Sequence, residues 1–508
     1  MGTLMIIIYI ILALGGLLFF IKRKIPKGKI IAGPKGLPVL GCIHEIDNET
    51  IHFKFSEWAE KFGDIFRVKM FSDNFIVLNT EENIRKAFGS EKYKNHFGDR
   101  VEMFWGEHFR CHNQSLAFVS DGSGLFHRIA RKSYMQALHT YGSGLQELEN
   151  NVMTEMSNLI ERIEKRSGKE FECVSMLQRS LSNVMSLVLR GELIPDSDPD
   201  SNMFWDHVHA NDFFLTSYVN FVMSTFPFLR FLPGKYGDEF RKGKKANAKI
   251  AQKYFYDMKK TYRPGLMRGL VDHFLEEQEK QMHSDTGLFF TDERIIAQIV
   301  ETIDAGMTTS WATLSNTMLA LLNYPQCQEK IQNELDDVIG RDRLPTYGDR
   351  ESCKYFQAFE MEVHRYLTVV PLALPHLCKE HIDFEGYDIE PNSTVFANVW
   401  YVHHNKEIWG DPWVFRPERF LSDNGDLVVI EHKFRRSLIA FGYGLRQCPG
   451  EMFAKTRYFL YISSLLQRWK FEFPPGKEIP CDPRKTENFD IKIIMRAHPF
   501  YCIAKERK

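Results

Sequence analysis

The stretch Phe441-Gly442-Tyr443-Gly444-Leu445-Arg446-Gln447-Cys448-Pro449-Gly450 decides how this chain is read. Gly442, Gly444 and Gly450 surround one cysteine. They let the backbone take positive φ and approach a flat ligand closely. Gly450 opens a helix that runs on through Glu451-Met452-Phe453-Ala454-Lys455, so Cys448 sits near a helix N-terminus. The partial positive charge there, with backbone N–H groups turned toward sulfur, favours thiolate over thiol. Arg446 offers a planar fork of donors to a carboxylate. A buried thiolate in such a loop is a candidate metal ligand.

The rest of the composition leaves room for such a centre. The chain has 508 residues, 44% of them hydrophobic and 13% aromatic, which supports a sizeable core. Lys+Arg number 65 against 66 Asp+Glu, a net charge of -1, so there is no global attraction for nucleic acid. The nine cysteines, Cys42, Cys111, Cys173, Cys327, Cys353, Cys378, Cys448, Cys481 and Cys502, are odd in number and contain no CxxC pair. That excludes a fully paired disulfide framework and a zinc site of the usual spacing, and it points to a reducing, cytosol-facing compartment.

Leu4 to Ile21 is an uninterrupted uncharged run. As a helix it nearly spans a hydrocarbon core of about 30 Å. Lys22, Arg23, Lys24, Lys27 and Lys29 follow, which predicts that the bulk of the chain faces the cytosol. The reading is a transmembrane anchor over 4–21, a basic linker over 22–41 containing Gly33-Pro34-Lys35-Gly36-Leu37-Pro38, and one domain over 42–508. No polar linker or internal repeat divides that domain.

Helical periodicity predicts helices over Glu81–Gly89, Leu125–His139, Leu145–Arg166, Met176–Arg190, Arg241–Tyr262, Asp292–Asn323, Gln326–Ile339, Phe356–Tyr366 and Gly450–Trp469. Strand-like pieces are Phe66–Met70, Asn74–Asn79, Thr394–Asn398 and Ile491–Arg496. The polar stretch Gln281–Gly287 reads as an exposed loop. The fold class is mainly α with small β-sheets (α+β), following the transmembrane helix.

The ten residues around Cys448 match the cytochrome P450 haem-binding loop, Phe-x-x-Gly-x-Arg-x-Cys-x-Gly, at every fixed position. The chain resembles that family from Pro34 to near its C-terminus. Glu362-Val363-His364-Arg365 and the later Pro417-Glu418-Arg419-Phe420 fit the family's order, which implies a buried trio of Glu362, Arg365 and Arg419 behind the loop. Asn398-Val399-Trp400, His403-His404-Asn405 and Glu334 to Arg341 also look like family segments, the two histidines being structural. The resemblance implies a cytochrome P450-like fold and haem b, with Cys448 as its thiolate metal ligand. Arg446, Phe441 and Gly442 would hold the cofactor beside it, and His376 would meet a propionate. It also implies placement at the endoplasmic reticulum membrane, with the bilayer as a partner.

Two departures stand out. In Ala305-Gly306-Met307-Thr308-Thr309, Thr309 occupies the family's alcohol position and Gly306 its small residue, but Thr308 stands where the family has an acid. Asp304, four residues back, is the candidate substitute for proton delivery. The family's usual Trp and Arg of an early helix are matched here by His127 and Arg131, which makes both candidates for a propionate contact.

The substrate side is less specific. The Phe-rich run Phe213–Phe231 lies where the family has a roof over the pocket, and Val370, Leu372, Ala373 and Leu374 match a strand beside the haem. Asn211 lies near a position that some steroid hydroxylases use for a polar substrate group. Lys132, Lys433, Arg435, Arg436, Lys455 and Arg457 would form a basic face for an acidic reductase. The implied activity is oxidation of a lipophilic substrate (sterol, fatty acid or xenobiotic) with electrons from NADPH-cytochrome P450 reductase and cytochrome b5 as a further donor. The alternatives are a reductase-independent isomerase or dehydratase, and a non-catalytic haem or sterol binder.

Overall fold

The computed structural model describes residues 29–507 apart from 48, 72, 121–123, 141–144, 167, 196 and 283–288. Near the N-terminal side lies a five-stranded sheet in the order Ile65–Met70, Asp73–Leu78, Ser393–Ala397, His376–Cys378, Asp99–Arg100. Its pairs are antiparallel except Asp73–Leu78 with Ser393–Ala397. Alternate residues serve opposite faces of the sheet. Ile65, Ile76, Leu78 and Val395 pack with Ile84, Ala87 and Phe88 of the helix Glu81–Gly89. Phe66, Val68 and Val77 pack on the other side with Phe55 and Trp58 of the helix Ile51–Phe62.

The remainder is mainly helical. Its axis is the helix Asp292–Asn323, whose N-cap Thr291 accepts from Arg294 N–H at 3.3 Å. At about 1.5 Å per residue it is about 48 Å long. Ile299, Val300, Ile303, Met307, Leu314 and Leu319 bury it among Cys173–Arg190, Lys354–Tyr366 and Glu451–Arg468. Asn316 is fully buried on this helix and is satisfied from outside it: it accepts from Ala497 N–H at 2.7 Å and donates to Met495 O at 3.2 Å.

The expected helices at Glu81–Gly89 and Asp292–Asn323 match in extent, and most others shift by a few residues at their ends. Arg241–Tyr262 is instead Lys235–Ala251, a π-helical turn over Gln252–Tyr256, and Asp257–Thr261. The widened turn lets the consecutive Tyr254 and Phe255 both reach the core, each fully buried. Ile491–Arg496 is a hairpin of Phe489–Ile491 with Met495–Ala497 rather than one strand. Part of the expected loop Gln281–Gly287 lies outside the described residues.

The expected fold class is corrected in one respect. Among the described residues no helix is long and apolar enough to cross a membrane. Even the longest helix carries Asp292, Glu293, Arg294, Glu301 and Asp304 in its first half. The stretch Leu4–Ile21, on which the anchor, the bilayer partner and the endoplasmic reticulum placement all rested, lies outside the described residues. The fold is therefore α+β and mainly helical, and those three expectations are not carried further.

Behind the cysteine loop the expected trio is assembled. Glu362 accepts from Arg365 Nε at 2.7 Å and Nη2 at 2.8 Å, from Arg419 Nε at 3.2 Å, and from Arg416 N–H at 2.8 Å. The Glu362, Arg365 and Arg419 side chains are fully buried. Arg365 also donates to His403 O and Pro412 O, which ties the ExxR helix to the segment before the cysteine loop. His403 accepts the Ile439 N–H at Nε2 (3.1 Å) and pairs with Thr368 at Nδ1, a structural role.

Candidate active site

The cysteine loop and the long helix border one cavity of about 310 Å³. Cys448 lies deep in the fold, yet its own surface is open because it faces this cavity. Its N–H donates to Phe441 O at 2.9 Å, closing the loop on itself. Gly442 and Gly444 have φ of 74° and 78°, and a Cβ at Gly444 would overlap the Phe88 carbonyl. The loop can thus lie flat on the helix Glu81–Gly89 only with glycine there. Burial pushes the Cys448 thiol up, while the Gly450 N–H pulls it down.

One side of the cavity is lined by cationic and imidazole groups. Arg446 donates to Gly98 O (2.8 Å), Leu116 O (3.0 Å) and Val119 O (2.6 Å). Arg131 donates to Gln447 O at 2.7 Å. His376 places Nδ1 2.6 Å from Phe97 O, and its ring stacks on Phe88 at 3.8 Å. His127 is buried on the cavity wall, and burial, aided by Arg446 and Arg131, holds it down to about 3. Arg100 was missed in the sequence. It donates to Ala117 O (3.2 Å), Leu374 O (2.6 Å) and Pro375 O (3.1 Å), and burial followed by the Arg446 charge lowers it to about 9. It lies on the short strand Asp99–Arg100 that pairs with His376, a non-local register that no motif announces. Arg100 and Arg131 have no ion-pair partner among the described residues. A crowd of guanidiniums and neutral imidazoles fits a bound group with carboxylates, and the open cysteine fits its metal, so the residues fit iron protoporphyrin.

On the long helix, Ala305, Gly306 and Thr309 border the cavity. Thr309 Oγ1 donates to Ala305 O at 2.6 Å. A Cβ at Gly306 would stand 2.6 Å from Met185 Cε, so glycine also permits close packing on the helix Cys173–Arg190. Thr308 is buried and does not border the cavity. Asp304 is not brought to the cavity either. It pairs with Arg110, accepts from Asn211 Nδ2 at 2.9 Å and stands 3.0 Å from His207 Nε2, three partners that are all buried. Asn211 is spent in the same network rather than facing a substrate.

The carboxyl that does line the cavity on this helix is Glu301, one turn before Ala305. It accepts the Ala117 N–H at 2.9 Å, and burial raises it above the usual carboxylate range. The i, i+4, i+8 spacing of Glu301, Ala305 and Thr309 puts them on one helix face, but spacing alone does not favour Glu301 over the nearer Asp304.

Val370, Ala373 and Leu374 border the cavity, while Leu372 packs against the sheet. Phe213 and Phe214 pack with Phe104, Tyr236 and Phe240 instead of lining it, and Phe226, Phe228 and Phe231 are exposed. Among the expected basic-face residues, Lys132, Lys433 and Arg436 are exposed, Arg436 pairing with Glu81 at 3.2 Å. Lys455 pairs with Glu451 at 2.6 Å and Arg435 donates to Val428 O. Arg457 is buried and borders the cavity, so it is removed from that face.

A helical fold with an open, glycine-cradled cysteine beneath a long helix, and a basic cradle beside it, defines a haem-thiolate protein. The cytochrome P450 family pattern matches residues 31–502, and the chain belongs to that family. It is 29% identical over 479 residues to cytochrome P450 1A2 of Mesocricetus auratus, covering 91% of this chain and 90% of the relative. It is likewise 29% identical over 491 residues to cytochrome P450 1A1 of Rattus norvegicus, covering 93% and 92%. With cytochrome P450 1A1 of Felis catus it shares 29% over 506 residues, covering 94% and 95%. The chain is a haem b-dependent monooxygenase of lipophilic substrates, fed by electrons from NADPH through a reductase.

Proposed function

We propose that the domain over 42–508 oxidises its substrate in the cavity between Cys448 and the Ala305–Thr309 turn, and that the residues divide the work as follows. Cys448 Sγ would be the protein ligand to the iron. Arg446, Arg100, Arg131, His127 and His376 would hold the carboxylate side of the cofactor, the first three by charge and the histidines as neutral imidazoles. Phe441 and Gly442 flank the ligand loop. Iron protoporphyrin, when bound, supplies reductive activation of dioxygen, with one oxygen atom entering the substrate and the other leaving as water.

The chain's own task on the oxygen side is to bring protons. Thr309 Oγ1 can leave the Ala305 carbonyl to hold a water. Glu301, raised by burial, is the cavity carboxyl that can keep and pass a proton. The two lie about 12 Å apart along the helix, so ordered water must join them. Asp304 is not assigned this role, since it is committed to Arg110. Val370, Ala373 and Leu374 present apolar surface to the substrate, which supports a lipophilic ligand.

The observation that carries this reading is the single cavity shared by the open Cys448 and by Thr309. The test is the carbon monoxide difference spectrum of the reduced holoprotein. Wild type should give the thiolate band and Cys448→Ser should lose it. An identical spectrum in both would remove Cys448 as ligand. Product formed only with NADPH and reductase separates this reading from the isomerase and the non-catalytic binder.

A further inference from the structure

Arg457 lies on the helix that leads away from Cys448, and it is 1% exposed. Three other buried guanidiniums have evident carboxylate partners, and Arg100, which has none, faces the cofactor side of the cavity. Arg365 and Arg419 share Glu362, and Arg110 pairs with Asp304. Arg457 has no carboxylate partner among the described residues, and its Nη1 makes no hydrogen bond there. Burial lowers it to about 10, and the nearby phenols of Tyr461 and Tyr134, themselves raised by burial, are neutral and give it no counter-charge. Its face rests on the Phe453 ring at 4.7 Å, and it borders the cavity. A charge kept buried without a counter-ion is costly, so the contacts it does make call for a reason.

Its hydrogen bonds all fall on one turn of the long helix. Arg457 Nη2 donates to Gly306 O at 2.6 Å and to the Ser310 hydroxyl. In a regular helix the Gly306 carbonyl accepts the Ser310 N–H. The preceding carbonyl, Ala305 O, takes the Thr309 hydroxyl. Two successive carbonyls thus carry an added side-chain donor, the kind of insertion that opens or bends a helix. Thr309 sits inside this turn.

We propose that Arg457 is a positioning residue for oxygen activation: reaching across from the thiolate-bearing side, it holds the Gly306 carbonyl and Ser310 hydroxyl, sets where Thr309 stands, and leaves a fixed positive charge at the cavity wall. The proposal rests on the haem-monooxygenase reading and adds to it a link between the cysteine-loop helix and the long helix. A buried positive charge beside a redox cofactor favours its reduced form, because reduction adds negative charge.

The test uses the haem-loaded full chain as wild type, Arg457→Lys, Arg457→Gln and Ser310→Ala. In a reductive titration the Gln variant should move to a more negative midpoint, while the Lys and Ser310→Ala variants stay with wild type. The ratio of peroxide to product should rise several-fold in Arg457→Gln and in Ser310→Ala. Hydrogen exchange of the peptide covering 303–314 should quicken in both. A folded, haem-loaded Arg457→Gln with the wild-type midpoint and wild-type coupling overturns the proposal. If that variant does not load haem, unchanged coupling and exchange in Ser310→Ala overturn it instead. Failure of wild type itself to show a thiolate spectrum sinks the function reading and leaves hydrogen exchange to judge the clamp.

Discussion

Thr309 and Asp304 are five residues apart on one helix and face different worlds. The Thr309 hydroxyl borders the cavity and rests on a carbonyl it can exchange for water. Thr309→Ala should therefore keep haem content and raise peroxide release relative to product several-fold; an unaltered ratio would remove the hydroxyl from proton handling. Asp304 is the counter-charge of the fully buried Arg110. Asp304→Asn should cost about 3–5 kcal/mol by leaving that guanidinium unpaired, seen as a lower unfolding midpoint, with coupling in the folded fraction unchanged. A folded Asp304→Asn that leaks peroxide would return the acid to the proton path. The site was legible where chemistry dictates local sequence, as at Cys448 and its glycines. It was not legible at Arg100, Glu301 and Arg457, whose roles depend on which partner the fold brings near. Arg457 in particular reads as one more surface cation among Lys433, Arg435 and Lys455, and only burial separates it from them.

At the scale of elements, the joint between the helix Lys354–Tyr366 and the Pro417–Phe420 turn carries the cysteine loop. Glu362 there balances two guanidiniums and a backbone N–H, with all three side chains fully buried. Glu362→Gln keeps the shape but leaves Arg365 and Arg419 without their shared anion. It should lower stability by about 3–5 kcal/mol and reduce haem retention after gel filtration. Wild-type retention would show that the joint does not hold the loop. This joint was readable from the order of ExxR and Pro-Glu-Arg-Phe. So were the long amphipathic helices, because a 3.6-residue period sustained over many turns leaves little choice. The π-helical turn at Gln252–Tyr256 was not, since its cause is two neighbouring aromatics seeking one core. Nor was the hairpin of Phe489–Ile491 with Met495–Ala497, whose turn falls inside what reads as one short strand. The helix Met203–Leu215 is buried on many sides and so shows little periodicity to find.

Over the whole molecule, folding removes many imidazoles from water in neutral form. His52, His127 and His404 are each held to about 3, burial being the largest cause. His207, His376 and His403 are pushed well below their ordinary value by the same cause. For a base whose folded value is depressed, the unfolded chain binds the proton first. Stability is then full above about pH 6.5, where both states are neutral, and falls as pH drops from there toward 3. His52, His127 and His404 alone give a slope of about 4 kcal/mol per pH unit once the unfolded histidines are charged. Unfolding at pH 5 should accordingly take up at least about three protons per molecule, measured in weakly buffered denaturant with a pH electrode. His52→Gln, at a ring whose Nε2 meets no hydrogen-bond partner among the described residues, should lower that uptake by about one. No net uptake at pH 5 would mean that these rings are protonated in the folded protein, and the neutral imidazoles assigned to the cofactor side at His127 and His376 would have to be reassigned as charged donors.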